Sequence, residues 1–528
     1  MPPHNEKCVL AIDLGTSAGK VALFTIHGEA IGWESEPVPL HLFPDGGAEL
    51  APDDWWHAIT TAARRLLGKA PVSREAIVAV CASTQGEGTV PVDRDGNPLM
   101  PAMIWLDTRG ARHTQAYVAG MIQIEGYDPL KLLRWIGVTG GLPAMSGKDL
   151  TGHMLYIKNE RPEVYEQTYK FLNVLDYINL RLTGEFSTTP DSIFSAWVTD
   201  NRDPWDIHYH EGLLRDFPID REKLPDLKRC IDIVGPLKPD VADELGLSRD
   251  VKVVAGAFDV PAVAIGAGSV EDYATSLSIG TSTLLSCHVP FKKTDVSSYI
   301  ASLPCAIPGK YLLMASQDTA GGNLTFLRDN IIFHKDAVLA HNPDDFFAAI
   351  NQVAQEVPPG SNGVIYTPWL YGERAPIDDP TIRAGFHNLS LATTRADMIR
   401  AVFEGVALNT RWLLGPSEKF IGGRQMNPIN MVGGGANSDL WCQIHADVLN
   451  RTVRQVTDPI QTNARGAAFM ASVGLGYIDF GDIPALIPYR NVYEPNPDNQ
   501  ALYDELFEVF VELYRQNRKL YQRLNRGR

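Results

Sequence analysis

The sequence predicts an α/β protein with two large domains, and three observations support this fold class. A chain of 528 residues exceeds what one hydrophobic core usually contains, so two domains, with or without a helical appendage, are expected. Apolar runs of strand length alternate with segments of helical periodicity in the first half of the chain. A strand–G-T-S–strand pattern at residues 275–286 repeats the layout of the N-terminal residues, which fits two domains of similar design that each contribute a turn to one cleft.

The N-terminal segment is the most informative part of the chain. Residues 8–12 predict a buried strand, and residues 21–24 predict a second strand after a tight polar turn. Asp13, at the end of the first strand, can hold a hydrated Mg²⁺. The turn offers groups that can cradle a phosphate chain: successive backbone N–H groups, Gly15 for close approach, the hydroxyls of Thr16 and Ser17, and the ammonium of Lys20. An ordinary hairpin with a surface aspartate is the alternative interpretation.

This segment is not a P-loop. A P-loop has four residues between its glycines, carries a hydroxyl residue after its lysine and opens a helix. Here three residues separate Gly15 from Gly19, Val21 follows Lys20, and the turn leads into another strand. The layout is similar to the phosphate hairpin of actin-like ATPases and sugar kinases.

The remaining elements are predicted in chain order from the spacing of apolar residues. Strands are predicted at residues 76–82, 89–92, 251–255, 275–279, 283–286 and 429–432. Helices are predicted at residues 53–67, with Asp53 as the N-cap, and at 149–159, 164–182, 394–414, 440–449 and 499–528. The last helix is amphipathic, so it is expected to pack on the second domain.

Composition and charge exclude several classes of partner and location. The formal net charge of −16 argues against nucleic acid and against anionic membranes as partners. No signal-peptide pattern is visible, and the longest nearly apolar run, residues 253–270, is interrupted by Asp259 and Pro261. The six cysteines are scattered without a C-x-x-C pair, which suggests reduced thiols in the protein core. A cytoplasmic protein is therefore expected.

Two short segments contain side chains suited to a polyhydroxylated ligand. Trp105, Asp107 and Arg109 combine an indole that covers C–H faces with charged groups that bind hydroxyls. Gln85 and Glu87 lie in a polar turn directly after a predicted strand, where α/β sheets bind ligands. The alternatives are a packed tryptophan beside a surface ion pair, and solvated turn residues.

Asp259 is the candidate catalytic base. It stands between the predicted strand 251–255 and an apolar helix, where an unused carboxylate is costly. The alternative is an N-cap for that helix, with Pro261 in its first turn. Both roles are compatible with the sequence.

A glycine run follows the predicted strand 429–432 and suits close approach of the backbone to a flat ligand such as a nucleoside. The pattern is weak by itself. Its candidate residues are Gly434, Gly435, Ala436, Asn437 and Ser438.

Taken in order, these segments resemble the FGGY family of carbohydrate kinases over residues 8–480. The matching motifs are D-L-G-T-S, Q-x-E-G, W-L-D-T-R, G-x-x-D, the second G-T-S, G-E-R-A-P at 372–376, F-E-G at 403–405, G-G-G-A and A-R-G-A-A at 464–468. The resemblance implies two ribonuclease-H-like domains, of the actin and hexokinase ATPase type, around a central cleft. It implies an N-terminal domain at 1–265 for sugar and phosphate, a C-terminal domain at 266–485 for nucleotide, and a helical tail at 486–528.

The resemblance also implies ATP and Mg²⁺ as cofactors and assigns roles to the candidate residues. ATP phosphates would be bound by Asp13, with Mg²⁺ held through water, and by Thr16, Ser17, Lys20, Gly280 and Thr281. The nucleoside would be bound by Gly434, Gly435, Ala436, Asn437 and Ser438. The sugar would be bound by Gln85, Glu87, Trp105 and Asp107, with Asp259 as the general base.

The sequence is most similar to xylulokinase-like members of the family but departs from them at the sugar site. Xylulokinases usually have Q-M-H-G where this chain has Gln85-Gly86-Glu87-Gly88, and Asp-Asn where it has Asp259-Val260. These features look more like polyol and L-ketose kinases such as erythritol kinase.

The expected function is ATP-dependent phosphorylation of a primary hydroxyl of a xylulose-type ketopentose. Phosphorylation of a polyol or L-ketose is the alternative. An alternative of another class is a non-catalytic actin-like nucleotide switch, which would not need Trp105, Asp107 and Asp259 around one pocket. The expected partners are a small sugar or polyol and ATP, with a homodimer left open.

Overall fold

The computed structural model describes residues 6–332 and 345–525, in which two mixed β-sheets form the centres of two lobes. The first sheet has the spatial order β5-β6-β4-β1-β2-β3. Its strands are β1 Cys8–Leu14, β2 Ala18–Thr25, β3 Ala30–Pro37, β4 Ile77–Thr84, β5 Ile233–Pro236 and β6 Lys252–Phe258. This sheet and the helices packed on it form the first lobe.

The second sheet has the spatial order β9-β10-β11-β8-β7-β12-β13-β14 and forms the centre of the second lobe. Its strands are β7 Thr275–Ile279, β8 Thr283–Val289, β9 Thr294–Asp295, β10 Ile300–Pro304, β11 Tyr311–Gln317, β12 Ile429–Val432, β13 Val453–Val456 and β14 Tyr489–Tyr493.

Both sheets contain the same five-stranded arrangement. In the first lobe β3-β2-β1 are antiparallel, and β4 and β6 continue the sheet in parallel with β1. In the second lobe β11-β8-β7 are antiparallel, and β12 and β13 continue in parallel with β7. This repetition is the arrangement of two ribonuclease-H-like units and confirms the predicted α/β fold class. The parallel strands of each sheet end at the same edge, where ligands of α/β proteins bind.

The helices cover both sheets. They are α1 Pro52–Lys69, α2 Ala111–Val118, α3 Pro129–Val138, α4 Leu150–Glu160, α5 Pro162–Gln167, α6 Val174–Thr183, α7 Glu211–Asp216, α8 Pro239–Leu245, α9 Asp259–Gly266, α10 Gly321–Leu327, α11 Phe346–Gln355, α12 Arg395–Phe420, α13 Asp439–Leu449, α14 Thr462–Gly474, α15 Ile483–Leu486 and α16 Pro497–Leu524. Short pairs and a triplet of strands lie outside the two large sheets: His41–Leu42 with Ala48–Leu50 and Ala102–Met103, Val90–Val92 with Lys170–Leu172, Ser187–Thr188 with Asp226–Leu227, Thr199–Asp200 with His208–Tyr209, and Ile365–Thr367 with Gly385–His387.

Two helix predictions were wrong in detail. Asp53 is not the N-cap of α1, because Ala51 occupies that position and Asp53 lies in the first turn. Residues 164–182 do not form one helix. Asn173 and Asp176 form a capping box that starts α6, and the strand Lys170–Leu172 pairs with Val90–Val92 before it.

The helices α9 and α14 pack against each other where the two lobes join, at a contact that only glycine permits. A Cβ atom on Gly266 would lie 1.9 Å from the carbonyl oxygen of Thr462, and one on Gly466 would lie 1.9 Å from that of Ala262. The lobes are therefore held together by two helices in backbone contact. The domain boundaries predicted at 265/266 and 485/486 stay predictions.

The C-terminal helix α16 packs on the second lobe through aromatic side chains. Phe510 and Tyr514 contact Trp369 and Trp412, and the Tyr503 hydroxyl donates to Glu404 Oε1 at 2.9 Å. All six cysteines are buried free thiols. Within residues 6–332 and 345–525, no helix combines the length and the apolar composition that crossing a bilayer requires.

Candidate active site

The turn between β1 and β2 places two opposite charges at the cleft. Asp13 and Lys20 are cross-strand partners, and the Lys20 ammonium lies 2.9 Å from Asp13 Oδ2. Asp13 is only 3 % exposed, and its Oδ1 atom accepts a 3.5 Å hydrogen bond from the side-chain amide of Asn463 on α14, a helix that follows β13 of the second sheet in the chain but packs on β1 and β4 of the first. The Gly15 N–H donates to the Ala18 carbonyl at 3.0 Å and closes the turn. Asp13 thus lies at the end of β1, beside the start of α14.

The same turn contacts two of the residues predicted to bind sugar. The Thr16 hydroxyl donates to Gln85 Oε1 at 2.8 Å and accepts from the Trp105 indole N–H at 3.0 Å. The Gln85 backbone N–H donates to the Leu14 carbonyl at 2.7 Å, so the end of β4 is held against the end of β1. Ser17 is exposed at the tip of the turn. The candidate phosphate and sugar residues of the first lobe therefore form one connected group.

Asp107 occupies a different environment from Trp105. Its side chain is fully buried, whereas Trp105 is 37 % exposed. The carboxylate of Asp107 accepts from the Ala48 N–H at 2.9 Å and from Arg109 Nη2 at 2.6 Å, and Arg109 also contacts Glu49 at 2.6 Å. Asp107 thus braces the loop that carries Trp105, and its contact with sugar stays a prediction.

Glu87 has a left-handed backbone, with φ of 57°, in the turn after β4. A Cβ atom on the preceding Gly86 would lie 3.2 Å from the Phe258 ring, so glycine leaves room for that ring. Burial and the negative charge of Asp149 raise the pKa of Glu87 to about 7, while Arg374 and Lys148 oppose this shift. Glu87 therefore faces charged groups from both lobes.

A bulge in β6 sets the position of Asp259. The register of β6 against β4 shifts between Val254 and Ala257. Gly256 within this bulge has φ of 75°, and a Cβ atom there would lie 2.0 Å from the Ala82 carbonyl oxygen. Asp259 is the first residue of α9, and Phe258 is the N-cap, so the alternative interpretation of Asp259 as the N-cap was wrong by one residue.

The charge state of Asp259 depends on its neighbours in the cleft. Burial and the negative charge of Asp13 raise the pKa of Asp259 to about 7, and backbone N–H groups at the start of α9 and the Lys20 ammonium oppose this shift. A carboxyl group with a pKa near neutrality suits a general base. Because Asp13 and Lys20 act on Asp259, the candidate base belongs to the same cleft as the opening hairpin.

The second hairpin, β7–β8, presents mainly backbone groups. The Gly280 N–H donates to the Ser282 carbonyl at 3.0 Å, and Thr281 is exposed. The N–H groups of Ala320 and Gly321 at the start of α10 donate to the carbonyls of Thr281 and Gly280, at 2.7 and 2.8 Å. The turn is thus fixed by α10.

The glycine run after β12 has two structural glycines and one that faces open space. Gly433 has φ of 81°, and a Cβ atom on Gly435 would lie 2.5 Å from Ile279 Cγ2, whereas one on Gly434 would meet nothing within 4 Å. Ser438 caps α13, and its hydroxyl also contacts Asn351.

A cavity of about 430 Å³ lies between the lobes. Its lining consists of Lys20, Trp33 and Ser35 from the first lobe and of Ala436, Asn437, Arg490 and residues 455–461 from the second.

Sequence reasoning assigned no role to Lys148, Arg374 or Asn463. Arg374 lies in the second lobe, where its backbone N–H donates to Glu373 Oε1 at 2.9 Å and its guanidinium lies 3.4 Å from Asp318. The G-E-R-A-P and A-R-G-A-A motifs are the sequence signals beside Arg374 and Asn463. Lys148 has no such signal, because only the fold brings it near Glu87.

The donor set fits Mg²⁺ only as a companion of nucleotide phosphates. In the part of the chain that the structure describes, no three His, Cys, Asp or Glu side chains converge as a metal site. Mg²⁺ in kinases keeps several waters and takes one or two carboxylates together with substrate phosphates. Asp13 would suit this role, because among the described residues its Oδ1 atom accepts only the 3.5 Å hydrogen bond from Asn463.

Comparisons with known proteins show the family to which the chain belongs. The family model for the N-terminal domain of the FGGY family of carbohydrate kinases matches residues 8–266, and the model for the C-terminal domain matches residues 275–475. A xylulose kinase of Staphylococcus epidermidis is 30 % identical over 98 % of both chains, and a gluconokinase of Bacillus subtilis is 25 % identical over 96 % of this chain and 95 % of its own. The crystal structure of a xylulose kinase from Lactobacillus acidophilus matches with a TM-score of 0.84 and 26 % identity, covering 98 % of this chain and 100 % of its own. The chain belongs to the FGGY family of carbohydrate kinases and is a phosphotransferase of the sugar kinase type.

Proposed function

We propose that this enzyme transfers the γ-phosphoryl group of ATP to a primary hydroxyl of an uncharged ketose or polyol, with a xylulose-type ketopentose as the leading acceptor. One observation carries the proposal: the Thr16 hydroxyl bonds both Gln85 and Trp105, so the candidate phosphate turn touches the candidate sugar residues. An acceptor held by Gln85 and Trp105 would have its hydroxyl beside the phosphate turn.

The side chains suit an in-line phosphoryl transfer. Asp259 orients the acceptor hydroxyl and takes its proton as the new O–P bond forms and the bond between the γ-phosphorus and the ADP oxygen breaks. Lys20 and the backbone N–H groups of the two hairpins stabilise charge on the phosphoryl oxygens. Mg²⁺, held through water by Asp13, would supply further charge neutralisation. Closure of the lobes excludes water, which competes as an acceptor.

The charges near Glu87 favour an acceptor without a carboxylate. Glu87 lies near Asp149 and Asp259, and their negative charges act on its carboxyl group. A sugar acid would add another negative charge there, although Lys148 and Arg374 offset part of it. A neutral sugar instead donates hydroxyl hydrogen bonds to Glu87. A neutral acceptor would distinguish this enzyme from its gluconokinase relatives.

A polyol or L-ketose is the second candidate acceptor, and the Gln85-Gly86-Glu87-Gly88 turn favours it. Glu87 can accept two hydroxyl hydrogen bonds, whereas the histidine usual in xylulokinases has a different donor pattern. Gly86 also admits the Phe258 ring into the floor of the turn, which changes the shape of this region.

The test is an ADP-release assay with D-xylulose, L-ketopentoses, tetritols, pentitols and gluconate as acceptors. We expect ADP release to rise strongly with one neutral acceptor and not with gluconate. Stimulation by gluconate alone would contradict the uncharged acceptor. ATP turnover that no sugar, polyol or sugar acid changes would favour the nucleotide switch instead.

A further inference from the structure

A buried carboxylate lies directly behind the candidate base. Asp191 is fully buried on the segment between α6 and β5, and its Oδ2 atom accepts the backbone N–H of Phe258 at 2.9 Å. Phe258 is the N-cap of α9 and precedes Asp259. Asp191 therefore contacts the backbone that carries the candidate base.

Two more donors fix the other oxygen of this carboxylate. The Thr189 hydroxyl donates to Asp191 Oδ1 at 2.6 Å, and the Cys230 thiol donates to the same atom at 3.0 Å. Burial of a carboxylate is costly unless its oxygens are hydrogen-bonded. With three donors from three chain segments, Asp191 has one well-defined orientation.

Asn173 fixes the turn that carries Glu87 through a similar hydrogen bond from a backbone N–H group. Asn173 Oδ1 accepts the backbone N–H of Gly88 at 2.9 Å, directly after Glu87. The side-chain amide of Asn173 donates to the Ser192 carbonyl at 2.8 Å. Residues 189–192 are thus connected to the turn of Glu87 through Asn173 and to the turn of Asp259 through Asp191.

We propose that Asp191 is a positioning residue for Asp259, that Asn173 positions the turn of Glu87, and that residues 189–192 fix the distance between acceptor and base. This inference rests on the proposed role of Asp259. Neither Asp191 nor Asn173 touches substrate. Asp191 acts through the Phe258 N–H group and Asn173 through the Gly88 N–H group, so each has a separate kinetic signature; Asn173 also accepts the Val174 N–H group as the cap of α6.

The test compares Asp191→Leu and Asp191→Asn in the full-length enzyme. Leucine removes the acceptor for the Phe258 N–H, so kcat falls about 100-fold while the KM of the acceptor stays within about twofold, since small misplacement of a reacting group costs this much. Asparagine retains one oxygen for that N–H, so kcat falls only about threefold to tenfold. Rescue by asparagine distinguishes positioning from general destabilisation.

Asn173→Ala provides the converse result. It releases the turn of Glu87 and removes the cap of α6, so the KM of the acceptor rises about tenfold while kcat changes less, and thermal unfolding measures the separate cost of the lost cap. Asp397→Leu is the matched control in the second lobe. Asp397 is 3 % exposed and likewise accepts three hydrogen bonds, from the Thr394 N–H, the Thr394 hydroxyl and the Asn362 amide.

An unchanged kcat in folded Asp191→Leu, or equal losses in Asp191→Leu and Asp397→Leu, would overturn the proposal. If Asp191→Leu does not fold, Asp191→Asn decides: a lower kcat at constant KM supports the proposal and an unchanged kcat overturns it. Asp259→Asn is measured in parallel. Full activity of Asp259→Asn would contradict the proposed function, whereas an inactive Asp259→Asn beside an active Asp191→Leu would contradict only the positioning role.

Discussion

In the first lobe the hairpin β1–β2 has Asp13 opposite Lys20, and in the second lobe the hairpin β7–β8 has Ser278 opposite Leu284 at the corresponding place. The first turn is longer by one residue, since Leu14 pairs with Gly19 but Ile279 pairs with Thr283. The two sheets share one strand arrangement, yet the charged hairpin side chains and the candidate base belong to the first lobe. The shared fold therefore supplies the cleft, and a few residue differences place the charged side chains on one side of it.

The largest effect is expected from a substitution of Asp259, the candidate base in the first lobe. We expect Asp259→Asn to lower kcat by about two orders of magnitude or more, because the acceptor hydroxyl loses the group that takes its proton. Acceptor binding, measured by equilibrium titration without ATP, should stay nearly unchanged. Thermal unfolding shows whether the variant is folded, and wild-type turnover by this variant would remove Asp259 from the mechanism.

A matched pair of substitutions tests the asymmetry of the hairpins. Asp13→Ala should lower kcat/KM for ATP by tens of fold, because the only candidate carboxylate for Mg²⁺ in the β1–β2 hairpin is lost. Ser278→Ala, the same change at the corresponding position of the second lobe, should stay within about twofold. Initial rates at varied ATP and Mg²⁺ measure both. Equal losses in the two variants would contradict the proposed division.

The pH dependence tests the coupling between Asp13 and Asp259. As a base, Asp259 works when ionised, so kcat/KM should rise with pH through about 7, the pKa to which burial and Asp13 raise this carboxyl. Asp13→Asn removes a negative neighbour and should move this acid limb to lower pH. Residual activity of that variant is followed at saturating Mg²⁺. An acid limb at the same pH would mean that Asp13 does not act on the titrating group.

The smallest effect is expected on the melting temperature when Glu87 is replaced by glutamine. The folded pKa of Glu87, about 7, lies above the ordinary carboxyl value, so the folded state binds more protons than the unfolded state between about pH 4 and 7. The contribution of Glu87 to stability is therefore lost as pH rises through this window. Glu87→Gln should raise the melting temperature at pH 8 by about 1–3 °C relative to wild type and should have no such effect at pH 4. Melting curves at both pH values, with Glu356→Gln on the surface of the second lobe as control, measure this difference.

The sequence predicted those parts of the molecule that depend on neighbours along the chain. The hairpin with Asp13 and Lys20, and the strand before Asp259, follow from local patterns of apolar and turn residues. The interruption at Asn173 was missed, because the capping box is hidden within a helical pattern and the pairing of Lys170–Leu172 is with a distant strand.

The sequence motifs predicted a set of candidate site residues, whose roles stay predictions, but they did not predict the contacts among these residues. Sugar binding by Asp107 stays a prediction, and the hydrogen bonds that its carboxylate accepts from Arg109 and the Ala48 N–H were not predicted. The roles of Asp191 and Lys148 depend on segments far apart in sequence, and no periodicity or motif brings them together. Long-range electrostatic interactions and buried hydrogen bonds therefore depend on the tertiary fold and leave no local signal in the sequence.

The contact between α9 and α14 has a mechanical consequence. Since a Cβ atom at Gly266 or Gly466 would overlap a carbonyl oxygen of the opposite helix, no spacer fits at the base of the lobes. The backbones of the two helices therefore set the separation of the lobes at this point. Gly266→Ala or Gly466→Ala would force one helix away from the other, and the close-packed elements around them would have to shift with it.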